Sequence, residues 1–261
     1  MDGIGPKGTT QLRRWLLPPA LLALLLGAWQ IAASTGAIAD ALSLESFLVP
    51  SPVEIAQSLW ENRALLAENA WVTLREIVLG ILFAMVIGSG IAALMHRWRL
   101  LRDAAYPLIV ASQTIPVLVI APILVVWFGY GITPKIVIVA LFCFFPLTVA
   151  VFDGLRSVDP EAVKLMRSLD ASRWQLFRRV EAPSALPNLF TGTKIAVVFA
   201  PLGAVFAEWA GSSAGLGHLI QSDTAQFEVA RQFATIAVLA AMALALMGLT
   251  ALVERRVVRW R

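Results

Sequence analysis

Between positions 154 and 187 of this 261-residue chain, acids, prolines and hydroxyl residues stand at helix-boundary spacings, not at catalytic ones. Asp159-Pro160-Glu161 supplies an N-cap, a proline for the first helical position and an acid for the first turn. The spacing predicts a helix there, running through Val163, Leu165, Met166 and Leu169 to Asp170. Asp170 is then the hinge, with Ala171 after it, because Ser172-Arg-Trp-Gln175 has the form of a capping box that starts a second helix. That helix is expected to end near Val180, since Pro183 and Pro187 cannot continue it unbroken. Two short helices in an elbow, with Trp174 and Phe177 as apolar knobs, suit insertion into a groove on another protein.

A second set of residues bears on passage of a polar solute. Ionisable groups are expensive in hydrocarbon and usually face a partner or a watery path, and few lie deep here. Glu208 closes an apolar run beside Trp209; it either lines the outer mouth of a pathway or is an interfacial carboxylate. Gln113, Thr114 and Pro116, with Pro122 beyond, either expose a kinked polar face to a path or hydrogen-bond between helices. Lys194 is expected to snorkel to the headgroups. Gly80, Gly88 and Gly90 permit close helix approach, at a dimer seam or within one subunit, and 211–217 is a glycine-rich connection or re-entrant turn.

No nucleophile, base and orienter stand together, and His96 and His218 fall on opposite expected sides, so no catalytic or metal site is read. Gly3-Ile-Gly-Pro-Lys-Gly8 does not complete a nucleotide-binding phosphate loop, and no cofactor is implied. The lone Cys143 excludes a disulfide framework within one chain.

The elements that must position these residues are membrane helices. At 59% hydrophobic and 15% charged, with a mean hydropathy of +0.77, the chain is too apolar for one soluble domain. Six runs approach the roughly 20 apolar residues that a span requires: 15–34, 71–95, 104–128, 134–152, 189–209 and 233–253. Six spans put both termini on one side, and 17 of the 21 Lys and Arg residues then share that side; only Arg63, Arg75, Lys135 and Arg231 fall opposite. The bias marks the first side as cytoplasmic. Basic residues that punctuate apolar runs fit orientation in a membrane, not a nucleic-acid patch.

Residues 1–14 are expected to be a cytoplasmic tail and 15–261 a single transmembrane domain. A basic start before small residues at 32–37 also resembles a signal peptide, but removing it would leave five spans, so a retained helix is read. Trp15, Trp71, Trp127, Trp209 and Trp260 sit where interfacial anchors belong, and 53–67 reads as an amphipathic helix on the outer surface.

The segment RSLDASRWQLFRRVEAPSALP, 167–187, resembles the EAA loop of ABC import permeases, whose pattern is E-A-A-x3-G, nine residues, then I-x-L-P. The family glycine falls on Asp170, the isoleucine on Val180 and Leu-Pro on Ala182-Pro183, while E-A-A falls on Lys164-Leu165-Met166. Lysine thus replaces the family glutamate, which puts any inherited salt bridge there in doubt. An aspartate at the hinge is tolerable, because Asp enters the left-handed region more readily than most residues. The resemblance extends from LVPSP (48–52) through WVTLREIVLG (71–80) to EWAGSSAGLGHLI (208–220).

It is similar to the nitrate, taurine, alkanesulfonate and thiamine-precursor branch. WFGYGITPKIVIVALFCFFP (127–146), KLMRSLDAS and Glu208-Trp209 are most similar to permeases for pyrimidine precursors of thiamine. The resemblance implies an all-α, type I importer fold with a coupling helix at 159–183. It also implies a homodimer in the bacterial inner membrane, an ABC ATPase beneath each subunit, and a periplasmic or lipoprotein solute-binding protein above. An ion-coupled secondary transporter is the alternative of another class; it would need buried carboxylates or paired broken helices.

Overall fold

The structure, a computed structural model, describes the backbone of residues 7–259 and the side chains of 17–259. Trp260 and Arg261, and the side chains of Lys7, Arg13, Arg14 and Trp15, lie outside the described residues. The described chain is helical with no strand: α1 Lys7–Ser34, α2 Ala37–Leu42, α3 Pro52–Glu61, α4 Arg63–Arg97, α5 Arg99–Ser112, α6 Val117–Phe128, α7 Ile132–Arg156, α8 Pro160–Ser168, α9 Arg173–Leu176, α10 Ala182–Trp209, α11 Leu216–Gln226 and α12 Val229–Val257. Among the described residues five helices are long and apolar enough to cross a membrane, and six if the bent pair α5 and α6 counts as one.

That pair corrects the expected continuous span at 104–128. It bends by 98° between Ser112 and Val117. Pro116 has no amide hydrogen and biases Ile115 away from helical backbone, so Gln113, Thr114 and Ile115 close tighter turns onto Val110, Ala111 and Ser112 before α6 restarts. The amphipathic helix expected over 53–67 also divides. α3 ends at Glu61 with Asn62 as its cap, and α4 begins at Arg63.

Two compact units are formed, one by residues 1–64 with 222–235 and the other by 65–221 with 236–261. In the first, Ser51 and Glu54 form a reciprocal capping box at the start of α3, with Pro52 at the first helical position. The Val53 amide donates to Gln30 of α1 at 3.0 Å, and Arg231 pairs with the buried Asp223 at 2.8 Å.

The second unit is built around α4, α7 and α10. Ile77, Ile81 and Ala84 of α4 meet Val139, Cys143 and Leu147 of α7 and the alanines Ala196, Ala200 and Ala204 of α10. Small residues let these backbones approach, which is how membrane helices gain packing without a hydrophobic drive between them. A Cβ on Gly80 would stand 2.4 Å from Val139 Cγ1, and one on Gly88 2.7 Å from Thr148 Oγ1. Of the two sequence readings of Gly80 and Gly88, packing within the subunit is therefore the one observed; Gly90 faces open space.

Lys194 does not snorkel freely. α12 brings Glu254 against it, and the two form a partly buried ion pair, since a nearby carboxylate satisfies the ammonium before the headgroups can.

Candidate functional site

The elbow forms as its local signals require. Asp159 Oδ1 accepts the Glu161 amide at 2.8 Å, and Pro160 opens α8. At the other end the Ala171 amide donates to the Met166 carbonyl and the Asp170 amide to the Arg167 carbonyl, both at 3.1 Å. These two bonds are a Schellman closure, and it requires left-handed backbone at the residue between. Asp170 supplies that backbone with φ +52°. The capping box at α9 is complete: Ser172 N–H donates to Gln175 Oε1 at 2.7 Å, and Gln175 N–H donates to Ser172 Oγ at 3.3 Å.

The second elbow helix does not stop near Val180, which corrects the expectation drawn from Pro183 and Pro187. α9 passes through a wider π turn, Phe177–Glu181, directly into α10, so that Arg173–Trp209 is one helical run. A π turn adds a residue to the hydrogen-bonded ring and so relieves the clash and missing donor that a proline brings. The elbow is thereby joined without a break to a membrane helix.

Leu165 and Trp174 are 61% and 65% exposed, and Leu169 is exposed beside them. Phe177 differs: it stacks on Trp174 with ring centroids 5.7 Å apart and packs against the core residues of α4 and α7, including Met95 and Phe152. Of the two expected knobs, only Trp174 is free for a partner. Lys164 and Glu161 are exposed, whereas Met166, Ala171, Val180 and Pro183 are half-buried. Among the described residues Lys164 has no acidic partner.

Of the membrane-depth candidates, Gln113, Thr114 and Pro116 sit together at the α5–α6 bend, exposed, with Thr114 Oγ1 donating back to the Ala111 carbonyl at 2.7 Å. No hydrogen bond or ion pair joins them to Glu208 and Trp209. Glu208 is 1% exposed. Its carboxylate accepts from Thr73 Oγ1 of α4 at 2.7 Å and from the amides of Gly217 and His218 at 2.5 and 3.1 Å. Trp209 donates its indole N–H to the Gly217 carbonyl at 2.9 Å. Both residues thus grip the 211–217 loop and the start of α11 instead of meeting open solvent or headgroups through their polar atoms.

Around Glu208 stands a buried polar cluster whose contacts the sequence did not show. Thr73 Oγ1 accepts the Leu216 amide at 2.8 Å, and Asn69 Oδ1 accepts the Gly215 amide at 2.7 Å. Lys135 of α7, only 7% exposed, reaches Glu76 at 2.9 Å and donates to Ser212 Oγ at 2.6 Å. Gly215, at φ +117°, has no room for a side chain, because a Cβ there would lie 2.2 Å from the Glu208 carboxyl carbon. The signal for Glu76 was present in the sequence as a glutamate inside an apolar span. Its partner Lys135 is not local, and the sequence shows it only as one of the four basic residues on the outer side.

The arrangement contains no reacting constellation, and the described residues hold no group of three or more potential metal ligands. It is a packed α4–α7–α10 core joined at one end by buried polar bonds and carrying an exposed, capped elbow at the other.

Comparison with known proteins gives a consistent result. A family described as the binding-protein-dependent transport system inner membrane component matches residues 76–259. A probable ABC transporter permease of Haemophilus influenzae is 39% identical over 89% of this chain and 93% of its own length. The formylaminopyrimidine transport permease of Halalkalibacterium halodurans is 35% identical over 94% and 96%. A riboflavin transport system permease of Chloroflexus aurantiacus is 35% identical over 93% and 89%. Among solved structures, a chain of an amino acid ABC transporter superimposes with a TM-score of 0.62 at 22% identity, over 77% of this chain and 97% of that one, a likeness of fold.

Proposed function

The chain belongs to the family of inner-membrane components of binding-protein-dependent transport systems and is the permease subunit of an ABC importer, and on that premise we propose that its solute is a pyrimidine precursor of thiamine. It carries no ATPase site; energy comes from a separate ATPase subunit, and solute arrives from a binding protein. The observation that carries the solute is the 35% identity, over 94% of the chain, to a relative named for formylaminopyrimidine. The riboflavin relative at the same identity is also named for a heterocycle, whereas those named for aliphatic sulfonates and taurine stand at 29% and 30%. A flat, polar heterocycle is favoured over an alkanesulfonate or taurine on that ground, and nitrate remains the other solute of the resembling branch.

In the proposed working form two copies meet in the bacterial inner membrane with both termini inside, and an ATPase docks on each elbow. Asp159 to Pro183 is the coupling element, with Leu165, Leu169 and Trp174 as its exposed contacts. When the ATPases close, displacement of the elbow passes through the unbroken Arg173–Trp209 helix into α10. Because Glu208, Thr73, Glu76 and Lys135 fasten α10 to α4 and α7, the three move as one body, the rigid-body form of alternating access. Gln113, Thr114 and Pro116 at the α5–α6 bend are the candidate path residues that remain open, and Glu208 and Trp209 act by holding the outer loop.

The test is solute-dependent ATPase activity in nanodiscs that hold this chain with its ATPase and binding protein. Stimulation by a formylaminopyrimidine, lost when residues 157–179 are deleted while the spans still insert, supports solute and coupling site together. Stimulation by an alkanesulfonate alone keeps the mechanism and replaces the solute.

A further inference from the structure

The inner end of α4 and the elbow border an open groove of about 910 Å³. Its charged wall is made by Arg97, Arg167 and Arg173. None of the three has an acidic partner among the described residues, because Glu181, the one acid in the lining, is taken by His96 at 3.2 Å. Its apolar wall is Ala93 and Leu94 on one side and Trp174, Leu176 and Phe177 on the other. Three arginines without an acidic partner thus border one apolar surface. A guanidinium fork fits phosphate oxygens in pairs, and its flat face tolerates an apolar neighbour better than an ammonium does.

We propose that this groove binds the phosphate headgroup of an anionic phospholipid. The position of its floor decides between possible occupants. Ala93 and Leu94 belong to the apolar span of α4, and His96 and Arg97 follow within a turn, so the groove runs from hydrocarbon depth to the charged interface. Only an amphipathic molecule matches both ends: the phosphate lies against Arg97, Arg167 and Arg173, and the glycerol and first methylenes lie against Ala93 and Leu94. An acidic surface on a soluble ATPase would meet the arginines but not the residues within the span. The basic excess assigned to the cytoplasmic side puts the site at the inner leaflet, where basic pockets between membrane helices take anionic headgroups. This rests on the proposed orientation, but not on the solute.

Native mass spectrometry of the purified full-length chain, titrated with equal phosphatidylglycerol and phosphatidylcholine, tests it. The wild type is expected to retain phosphatidylglycerol over phosphatidylcholine by about tenfold or more. Arg97→Gln/Arg167→Gln/Arg173→Gln should lose that preference, while Arg178→Gln/Arg179→Gln, which removes two exposed charges outside the groove, should keep it. Equal loss in both variants would mean diffuse surface charge and overturn the site. Displacement by inorganic phosphate at equal concentration would make the occupant a free anion, and exclusion of the lipid by the ATPase subunit would make the groove a protein contact; either result overturns the proposal. A second measurement needs no variant. Photoactivatable phosphatidylglycerol should label peptides covering 93–97 and 167–177 of the wild type, and labelling confined to other peptides refutes the assignment. The binding readout uses neither solute nor ATP, so it stands or falls separately from the transport assignment.

Discussion

The elbow and the buried cluster around Glu208 both hold backbone in demanding shapes, and they do so over different lengths of chain. At the elbow, the bonds that set Asp159, Asp170 and Ser172 connect residues no more than five apart, and most of their atoms face water. In the cluster, Thr73 to Glu208 and Asn69 to Gly215 close separations of 135 and 146 residues, with Glu208 and Glu76 each 1% exposed. A local, solvated motif is cheap to make and cheap to lose, since water replaces whatever bond is removed. A buried one has no such substitute. The solvated elbow is therefore the end that tolerates change, and the cluster around Glu208 is fastened by groups that cannot be removed singly.

The sharpest way to break that comparison is at Lys135. Lys135→Met leaves Glu76 buried beside Glu208 with no cation, and it should lower stability by about 3 kcal/mol or more. Chemical denaturation in detergent measures this, and Glu76→Gln added to Lys135→Met should recover much of the loss. If Lys135→Met costs no more than an elbow variant, the contrast between the two ends is wrong. Next in size, Gly215→Ala forces a side chain into the Glu208 carboxyl at a φ of +117° and should cost about 2 kcal/mol, visible as a lower melting temperature.

At the elbow the effects move from stability to coupling. Asp170→Pro cannot hold φ +52° and should abolish solute-stimulated ATPase activity, while Asp170→Gly should retain it and gain a few tenths of a kcal/mol. Equal activity in the two variants would remove the hinge from the mechanism. The smallest effect belongs to Ser172→Ala. It deletes one arm of the capping box at about 1 kcal/mol and should raise hydrogen exchange at 173–176 without altering exchange near Glu208. Spread of the effect to the outer end would sharpen the comparison in an unexpected way, by showing that the Arg173–Trp209 helix transmits local loosening.

Legibility in the sequence follows the same division. The caps at Asp159 and Ser172 and the left-handed position at Asp170 were readable, because each is specified by residues within one or two turns. The apolar runs were readable for the same reason. Prolines were read too simply: Pro116 does turn the chain, by 98° with its neighbours, whereas Pro183 and Pro187 lie inside a helix that a π turn keeps continuous. A proline states that a bond is missing, and the packing around it decides whether the chain bends or re-registers.

The sequence by itself determined that this chain lies in a bilayer, that its charges gather on one side of the expected spans, and where the two elbow helices are capped. All of these follow from composition and from interactions between near neighbours. Tertiary structure alone decided that Lys135 answers Glu76, that Lys194 answers Glu254, that Glu208 clamps the 211–217 loop, and that three arginines border one groove. Charges buried or gathered at low dielectric must find opposite charges or hydrogen bonds, but any distant residue can supply them, so only the packed helices show which one does.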